Sequence, residues 1–520
     1  MRMNAIAQGM SIAYYAKLDG DQPAVIEADR VTTFAMLNAR ANQLVRALRQ
    51  RGIKAGDAIA LLCSNRLEFV DVAVAAERSG LRITLINTHL TGEEVGYILD
   101  NCEARAFVAE ARYLDQAITG QRLASNATVC LAIGGIIPGF ADYDDALASE
   151  QAYDIEDPTL GSRMLYTSGT TGQPKGVYRS PEHSLPNLLS SLDSIAQAGY
   201  QSGTKQLHLS VGPLYHSAPF GISLTQPLLA GVGVVLMSRW DSEAVLRLIE
   251  QHRITHTFMV PTMFHRLLSL PSEIRAKYDL SSLQLVIHGA ASCPVSVKTQ
   301  MMNWWGPILL EYYAATEGRG VTVNASDWLN RPGTVGKPTP ADHIRICDDK
   351  GRDQPSNTAG AVYLKAPTEG RFEYFKDKRK TLATYQGDYY TLGDIGYLDE
   401  DGWLFLTDRS ANLIISGGVN IYPTEVEAVL LTHPLVADVC VIGVPNEEWG
   451  EEVKAVIELR SEVIVSAKLE SELMSFCKEH LAHFKCPRSV DFSEKLPRLD
   501  NGKLYKNGLR DMYRAALKSK

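Results

Sequence analysis

The 520-residue chain lacks the features that mark several large classes of protein. Its net charge is −8, whereas proteins that bind nucleic acid usually present a basic surface, so nucleic acid is not an expected partner. The longest apolar run, residues 228–237, is about half the length that crosses a bilayer. The first 21 residues contain neither a continuous hydrophobic core nor a small-residue cleavage site. These absences predict a protein without a secretory signal or a transmembrane segment.

The eight cysteines form no C-x-x-C pair and no spacing typical of metal ligands. Scattered cysteines in a long chain fit a reduced cytosolic protein better than a disulfide framework. We therefore expect a cytoplasmic location. Peripheral membrane association and the oligomeric state, including a homodimer, stay open.

Apolar runs alternate with segments of helical periodicity through much of the chain, and this alternation predicts α/β architecture with parallel strand pairing. Predicted helices end at Gly52 and Gly80, because glycine commonly closes a helix. The predicted helices are 34–52, 68–80 and 241–252, and the predicted strands are 58–63, 81–87, 232–237, 254–260 and 283–288.

The pattern changes after about residue 330, where apolar and polar residues alternate between turn signals as they do in antiparallel strands. Strands at 436–444 and 452–459 and a helix at 466–481 predict a smaller unit near the C-terminus. We place a boundary in the polar segment 408–413. The prediction is thus an α/β fold, with a large N-terminal domain (1–408) of parallel-rich sheets, helices and a small barrel-like β region, and a small α+β C-terminal domain (409–520).

The stretch "YTSGTTGQPKGV" follows an apolar segment and concentrates small residues around one lysine. Short side chains let the backbone approach a ligand, and successive N–H groups in such a loop favour anions. Lys175 adds a mobile positive charge. The spacing is not that of a Walker A loop, because Pro174 and Gly176 flank the lysine. A polyphosphate site is therefore predicted, with a flexible surface loop as the alternative; its candidate residues are Thr167, Ser168, Gly169, Thr170, Thr171, Gly172 and Lys175.

Three more clusters carry side chains suited to nucleotide chemistry. In "EYYAATEG", Tyr313 can stack on a purine, Thr316 can bind a phosphate oxygen, and Glu317 can hold Mg²⁺ through oxygen. The alternative for this cluster is a strand end with a solvated glutamate.

Asp394, in "TLGD", is suited to accept hydrogen bonds from both ribose hydroxyls, and Arg409 lies near the predicted boundary. A turn aspartate in a hairpin is the alternative for Asp394. In "LPRLDNGKLYK", a turn at residues 500–502 presents Lys503.

The motifs "YTSGTTGQPKGV", "YAATEG", "TLGD", "ISGGVNIYPTEVE" and "PRLDNGKLYK", in this order over residues 166–506, resemble those of the adenylate-forming acyl-CoA synthetases. That superfamily also contains the adenylation domains of non-ribosomal peptide synthesis and beetle luciferases. The resemblance covers about the whole chain.

The resemblance implies a ligase that uses ATP, Mg²⁺ and coenzyme A. A carboxylate attacks the α-phosphate to give an acyl-adenylate and pyrophosphate, and a thiol then displaces AMP. The loop 167–176 would hold the β- and γ-phosphates, Thr316 would contact the α-phosphate, and Glu317 with Thr167 would hold Mg²⁺. Asp394 and Arg409 would bind the ribose, and Lys503 would contact both the attacking carboxylate and the α-phosphate.

Weaker matches extend the implied site. Gly289, Ala290 and Ala291 would lie against adenine, and His216 would stand between the adenylate and the acyl group, although a lone histidine is more often structural. Gly417, Gly418 and Trp449 resemble residues that line the pantetheine tunnel after the C-terminal domain rotates. Two residues depart from the family pattern: Ala314, near the expected carboxylate pocket, and Ala411, at the hinge.

The expected acyl pocket, from residues 214–222, 259–264, 288–291 and 311–315, is mostly apolar and contains no basic residue suited to a second carboxylate. We therefore expect a hydrophobic monocarboxylic acid, either a medium-to-long fatty acid or a bulky aryl or steroid side-chain acid. An adenylation enzyme that loads a carrier protein and a non-catalytic nucleotide binder are the alternatives.

Overall fold

The fold is that of a computed structural model. It describes residues 1–167, 174–409, 412–416, 419–446, 448–460, 463, 465–498 and 504–518. The prediction of an α/β fold with parallel-rich sheets is confirmed.

The largest sheet has eight strands and carries much of the candidate site. Its central strands pair in parallel, and an antiparallel hairpin closes each edge. In spatial order the strands are Gly318–Asn324, Leu309–Ala315, Leu285–Gly289, His256–Met259, Leu207–Ser210, Gly233–Leu236, Pro23–Glu27 and Arg30–Thr33.

A second sheet of six strands is parallel throughout. All five residues of the strand Ala58–Leu62 are buried, as expected for a strand covered on both faces. In spatial order the strands are Ala141–Asp142, Val129–Ile133, Ala104–Glu110, Ala58–Leu62, Arg82–Leu85 and Ser162–Arg163.

Antiparallel strands form the region that the change of pattern after residue 330 predicts. A three-stranded sheet consists of Glu373–Tyr374, Lys175–Tyr178 and Leu165–Thr167. A five-stranded sheet consists of Ile344–Cys347, Gly360–Lys365, Tyr389–Leu398, Tyr385–Gln386 and Leu404–Arg409.

The last sheet, which we call the C-terminal sheet, packs around its own hydrophobic core. It consists of Val419–Ile421, Ile414–Ser416, Gly450–Leu459, Val436–Asn446 and Ser489–Phe492. The structure places two of its strands and one helix within two residues of the bounds predicted from the sequence, at Val436–Asn446, Gly450–Leu459 and Ala467–His480.

Helices cover the parallel sheets, and those predicted from periodicity begin and end close to their expected bounds. The first two end where Gly52 and Gly80 adopt positive φ values of 85° and 72°. The α-helices are Arg2–Ala7, Ser11–Leu18, Phe34–Gln50, Leu67–Arg78, Gly92–Asn101, Leu114–Leu123, Tyr143–Ala148, Ser184–Gln197, Gln226–Ala230, Ser242–His252, Pro261–Leu268, Ser272–Lys277, Val295–Trp305, Ala325–Asn330, Lys378–Thr384, Pro423–Leu430, Ala467–His480 and Lys506–Lys518.

A buried ion pair ties the helix Val295–Trp305 to the strand Leu309–Ala315. Lys298 donates a hydrogen bond of 2.7 Å to Oε2 of Glu311, and its ammonium lies 4.6 Å from the ring centre of Trp328. Lys298 is fully buried and Glu311 is 5% exposed. Burial raises the pKa of Glu311, and Lys298 lowers it. The charge of Glu311 is therefore stable in the core only while Lys298 is present.

We expect the substitution Lys298→Met to destabilise the protein by about 3–5 kcal/mol, because Glu311 is left buried without its cation. The folded-state pKa of Glu311, which burial already raises, would then lie further above its unfolded value, so the folded state is favoured at low pH and loses stability as the pH rises through the folded pKa. Melting temperatures should consequently fall more at pH 8 than at pH 5. The double variant Lys298→Met/Glu311→Met should recover much of the loss; an unchanged single variant would contradict this account.

Candidate active site

A large cleft of about 2190 Å³ runs between the eight-stranded sheet, the five-stranded sheet and the C-terminal sheet. The residues that follow the parallel strands Leu285–Gly289 and Leu309–Ala315 line this cleft. Ligands commonly bind at the carboxyl ends of parallel strands. The predicted site residues that line it are Thr167, Lys175, His216, Ala290, Ala291, Tyr313, Thr316, Glu317 and Asp394.

The predicted phosphate loop starts and ends in a short hairpin. Thr167 closes one strand, Lys175 opens the next, and the two residues are paired partners across the hairpin. The predicted phosphate ligands Ser168, Gly169, Thr170, Thr171 and Gly172 lie outside the described residues.

Two lysines make this end of the cleft strongly cationic. The pKa of Lys175 is lowered by burial and by the charge of Lys380, which also lines the cleft. The ammonium of Lys175 lies 5.7 Å from the ring centre of Tyr374. Two neighbouring ammonium groups repel each other, so an anion bound between them relieves the repulsion. This arrangement suits a phosphate chain.

Glu317 lies in the tight turn between the strands Leu309–Ala315 and Gly318–Asn324 and is 8% exposed. The hydroxyl of Tyr374 donates a 3.0 Å hydrogen bond to its Oε1 atom, and the guanidinium of Arg179 donates to its backbone carbonyl. Burial raises the pKa of Tyr374, so its hydroxyl remains a donor. A Cβ on Gly318 would lie 2.0 Å from the hydroxyl oxygen of Tyr390, which explains why glycine follows the glutamate. Tyr374 therefore orients the carboxylate, and Arg179 fixes the backbone of the turn.

Asp394 lies across the cleft from this turn, in the strand Tyr389–Leu398, and is 7% exposed. The hydroxyl of Tyr313 donates a 2.7 Å hydrogen bond to its Oδ2 atom. The backbone of Arg409 pairs with that of Asp394 in the neighbouring strand. The side chain of Arg409 lies outside what the structure describes.

The segment predicted to contact adenine follows the strand Leu285–Gly289. A Cβ on Gly289 would lie 2.5 Å from the carbonyl oxygen of Tyr312, so glycine here permits close strand packing. Ala290 adopts a φ of 67°, which is uncommon for a residue with a side chain, and with Ala291 it lines the cleft. His216 lines the cleft in front of the helical turn Pro219–Thr225, and its ring lies 4.7 Å from that of Tyr215.

The C-terminal sheet contributes the remaining wall of the cleft. Arg498 forms an ion pair with Asp438 and donates a 3.4 Å hydrogen bond to the hydroxyl of Thr262 in the helix Pro261–Leu268. Lys506 forms a 2.7 Å ion pair with Glu427, and both residues line the cleft.

Most of the predicted residues of the C-terminal part fall outside the described ranges. Lys503, Gly417 and Gly418, and Ala411 at the predicted hinge, lie outside the described residues. Trp449 is described but does not line the cleft; instead the guanidinium of Arg488 lies 4.8 Å from its ring centre.

The cleft residues Arg319, Tyr374 and Lys380 were not predicted from the sequence, and neither was Arg179, which contacts the backbone of Glu317. Lys380 ends a run of three basic residues, 378–380, that could have indicated an anion site. No local pattern marks Tyr374, because its bond to Glu317 joins residues 57 positions apart.

The cleft thus brings together two lysines at one end and two buried carboxylates, those of Glu317 and Asp394, as the predicted adenylate-forming site requires. The chain belongs to the AMP-binding enzyme family, whose model matches residues 13–371; the AMP-binding enzyme C-terminal domain matches residues 425–503. The prediction of this superfamily is confirmed.

Similar proteins are acid–thiol ligases. A 2-succinylbenzoate–CoA ligase of Bacillus licheniformis is 33% identical, with 95% of this chain and 98% of the relative covered. A 3-[(3aS,4S,7aS)-7a-methyl-1,5-dioxo-octahydro-1H-inden-4-yl]propanoyl:CoA ligase of Rhodococcus jostii is 32% identical, with 95% and 96% covered. A crystal structure of an anthranilate CoA ligase with anthranoyl-AMP matches with a TM-score of 0.86 at 25% identity, covering 98% of each chain.

The prediction of an AMP-forming acid–thiol ligase that uses ATP and coenzyme A is confirmed by these matches. Within the described ranges, no helix has the length and apolar character needed to span a bilayer. No group of three or more His, Cys, Asp or Glu side chains in the described part of the chain is arranged to hold a metal ion.

Proposed function

We propose that this acid–thiol ligase activates a bulky, ring-containing hydrophobic acid, first to its acyl-adenylate and then to its CoA thioester. The observation that carries the proposal is the size of the space beyond Thr316, which also lines a second cavity of about 710 Å³. Pockets of roughly 300–1,000 Å³ accommodate drug-sized ligands, so this space suits a ring system better than a short acyl group. The acids named for the relatives are also cyclic.

We assign the nucleotide half of the cleft to ATP. Lys175, Lys380 and the loop 168–173 bind the β- and γ-phosphates, and Thr316 contacts the α-phosphate. Asp394 and Arg409 bind the ribose, and Ala290 and Ala291 lie against adenine. His216 stands between the nucleotide and acyl ends. Cations and fixed donors accelerate this step because negative charge builds on the α-phosphate and the leaving pyrophosphate.

Glu317 and Thr167 fit a magnesium site. Mg²⁺ is usually bound by one or two carboxylates together with substrate phosphates, and Glu317 presents a single carboxylate that Tyr374 orients. When bound, Mg²⁺ would neutralise charge on the phosphate oxygens. In this proposal the protein holds the carboxylate of Glu317 at a fixed position beside the lysines of the phosphate end.

The C-terminal part, residues 409–520, is proposed to be a separate domain that rotates about residues near Ala411. Lys503 would serve adenylation, and Gly417, Gly418 and Trp449 would serve the thiol step after rotation. In support, Trp449 is 36% exposed and therefore open to a ligand. A cytoplasmic location stays a prediction.

The test is pyrophosphate release across a panel of fatty, aryl and steroid side-chain acids, each with and without coenzyme A. We expect release to depend on a bulky cyclic acid, and a thioester to form only when coenzyme A is present. Highest activity with acetate, or with a straight-chain acid, would contradict the proposed substrate. Pyrophosphate release without thioester would instead indicate another acceptor, such as a carrier protein.

The substitution Asp394→Asn should raise the KM for ATP about 10- to 100-fold, because charged hydrogen bonds to the ribose hydroxyls contribute about 1.5–3 kcal/mol. Tyr313→Phe should raise the KM for ATP less, because this substitution removes the hydroxyl that orients Asp394 and leaves the carboxylate in place. Steady-state kinetics and ATP titration calorimetry measure the effect. Asp388→Asn is the matched control, because Asp388 is an exposed aspartate directly before the same strand, paired with Arg371. Equal KM values in Asp394→Asn and Asp388→Asn would exclude the ribose role.

A further inference from the structure

One face of the helix Pro261–Leu268 contacts the edge of the C-terminal sheet at the rim of the cleft. Nε2 of His265 donates a hydrogen bond to the backbone carbonyl of Ala437. The hydroxyl of Thr262 accepts a 3.4 Å hydrogen bond from Arg498. Residues three apart on a helix lie on the same face, so these two bonds act together. We call them the helix–sheet contact.

The backbone of the C-terminal sheet is shaped to receive His265. Ala437 lies at a register shift in the pairing of the strands Val436–Asn446 and Gly450–Leu459. Such a shift inserts an extra residue that the ladder does not pair, and it redirects the backbone locally. The carbonyl of Ala437 is thereby presented to the helix Pro261–Leu268.

The charges around His265 keep its ring neutral. Burial lowers the pKa of His265, and the nearby guanidinium groups of Arg460 and Arg498 lower it further. The carbonyl of Ala437 and the carboxylate of Asp438 raise the pKa. A neutral imidazole carries one N–H group, and a carbonyl oxygen can only accept, so the proton of His265 lies on Nε2.

The other half of the helix–sheet contact fixes the base of the segment that contains Lys503. Two nitrogens of Arg498 donate hydrogen bonds to the two carboxylate oxygens of Asp438. The backbone of Arg498 pairs with that of Leu504, and the next residue donates a 2.8 Å bond to the carbonyl of Pro497. Both ends of the segment 499–503 are therefore held where Arg498 meets Thr262.

We infer that His265 and Thr262 are positioning residues of the first half-reaction, which hold the C-terminal part in the orientation that brings Lys503 to the cleft. This rests on the proposed function and on its rotation of residues 409–520. The helix precedes the predicted hinge, whereas Ala437 and Arg498 follow it, so a rotation about Ala411 separates the bonded atoms. The helix–sheet contact thus stabilises the adenylation orientation and must break before the thiol step.

This role has a consequence that general damage to the protein does not share. When two orientations interconvert faster than the chemistry, the rate of each half-reaction is proportional to the population of its own orientation. The ratio of the adenylation rate to the thioester rate then follows the equilibrium between the orientations. A weaker helix–sheet contact lowers this ratio whichever orientation predominates, whereas partial unfolding lowers both rates and leaves the ratio unchanged.

The test measures both half-reactions with the acid that gives the fastest pyrophosphate release in the panel above. Pyrophosphate release reports the first step, and thioester formation from the synthetic acyl-adenylate of that acid reports the second. We expect His265→Phe and Thr262→Val each to lower the ratio of the two rates by about 2- to 10-fold, the effect of one lost hydrogen bond. The double variant should lower the ratio further. His265→Gln should restore part of it, because glutamine also has an N–H donor.

Arg266→Ala is the matched control, since Arg266 is an exposed residue of the same helix. Its ratio should equal that of the unmodified protein. Melting curves and ATP titration establish that each variant is folded. An unchanged ratio in the double variant, or an equal fall in Arg266→Ala, would overturn the inference and leave the ligase assignment intact. No pyrophosphate release with any acid in the unmodified protein would overturn the proposed function together with the inference.

Discussion

Replacement of Glu317 by glutamine is expected to lower kcat/KM for acyl-adenylate formation by about 10²–10³-fold, the usual loss when one positioned electrostatic group is removed. Glutamine keeps the shape of the side chain and an acceptor for the Tyr374 hydroxyl, but it removes the negative charge. We therefore expect the defect to lie in Mg²⁺ binding and not in the geometry of the turn. Pyrophosphate release, measured as a function of Mg²⁺ concentration, should need more Mg²⁺ in this variant.

Two further variants distinguish charge from orientation. Tyr374→Phe keeps the carboxylate and removes the hydrogen bond that orients it, so a smaller loss and a smaller shift in Mg²⁺ dependence are expected. Glu373→Gln is the control, since Glu373 is an exposed carboxylate directly before Tyr374. A Glu317→Gln variant with unchanged activity at every Mg²⁺ concentration would remove Glu317 from the metal site.

The sequence predicts the fold well where one local pattern determines an element. The strand Ala58–Leu62 is predicted to within one residue, because an apolar run too short for a helix, between turn signals, is typical of a buried strand. The helix Phe34–Gln50 is predicted because its apolar residues repeat at helical spacing and Gly52 ends it in a left-handed conformation.

The candidate site is predictable only in part, for a physical reason. Thr316, Glu317 and Asp394 belong to compact motifs in which neighbouring residues indicate the chemistry. The side chains that orient or supplement them come from distant elements. Tyr374 meets Glu317 because its strand joins the one that begins at Lys175, and that pairing leaves no local signal.

Arg319 illustrates the same limit where the two cavities meet. Its position directly after "ATEG" marks it only as a polar residue in a hairpin. Its place between the cavities, near Asp193 of the helix Ser184–Gln197, follows from how the sheet and that helix pack together.

Replacement of Lys503 by alanine should affect the two half-reactions unequally. We expect acyl-adenylate formation to fall by about 10²–10³-fold, because the positive charge proposed to contact both the carboxylate and the α-phosphate is lost. Thioester formation from a supplied acyl-adenylate and coenzyme A should change only a few-fold, because in the proposed mechanism the thiol takes the place of Lys503 after rotation. Pyrophosphate release measures the first step, and thioester formation from the supplied adenylate measures the second.

Contacts on either side of Lys503 make the comparison of the two half-reactions a specific test of its role in adenylation. Arg498 holds the C-terminal sheet against Thr262, and Lys506 is tied to Glu427, so alanine at position 503 leaves both anchors in place. Lys495→Ala is the matched control, because Lys495 is exposed. Equal losses in both half-reactions would mean that Lys503 supports the arrangement of the domain and not the chemistry of adenylation. A loss confined to the first step would assign its charge to the α-phosphate, and the second step would then report the rotation about Ala411 alone.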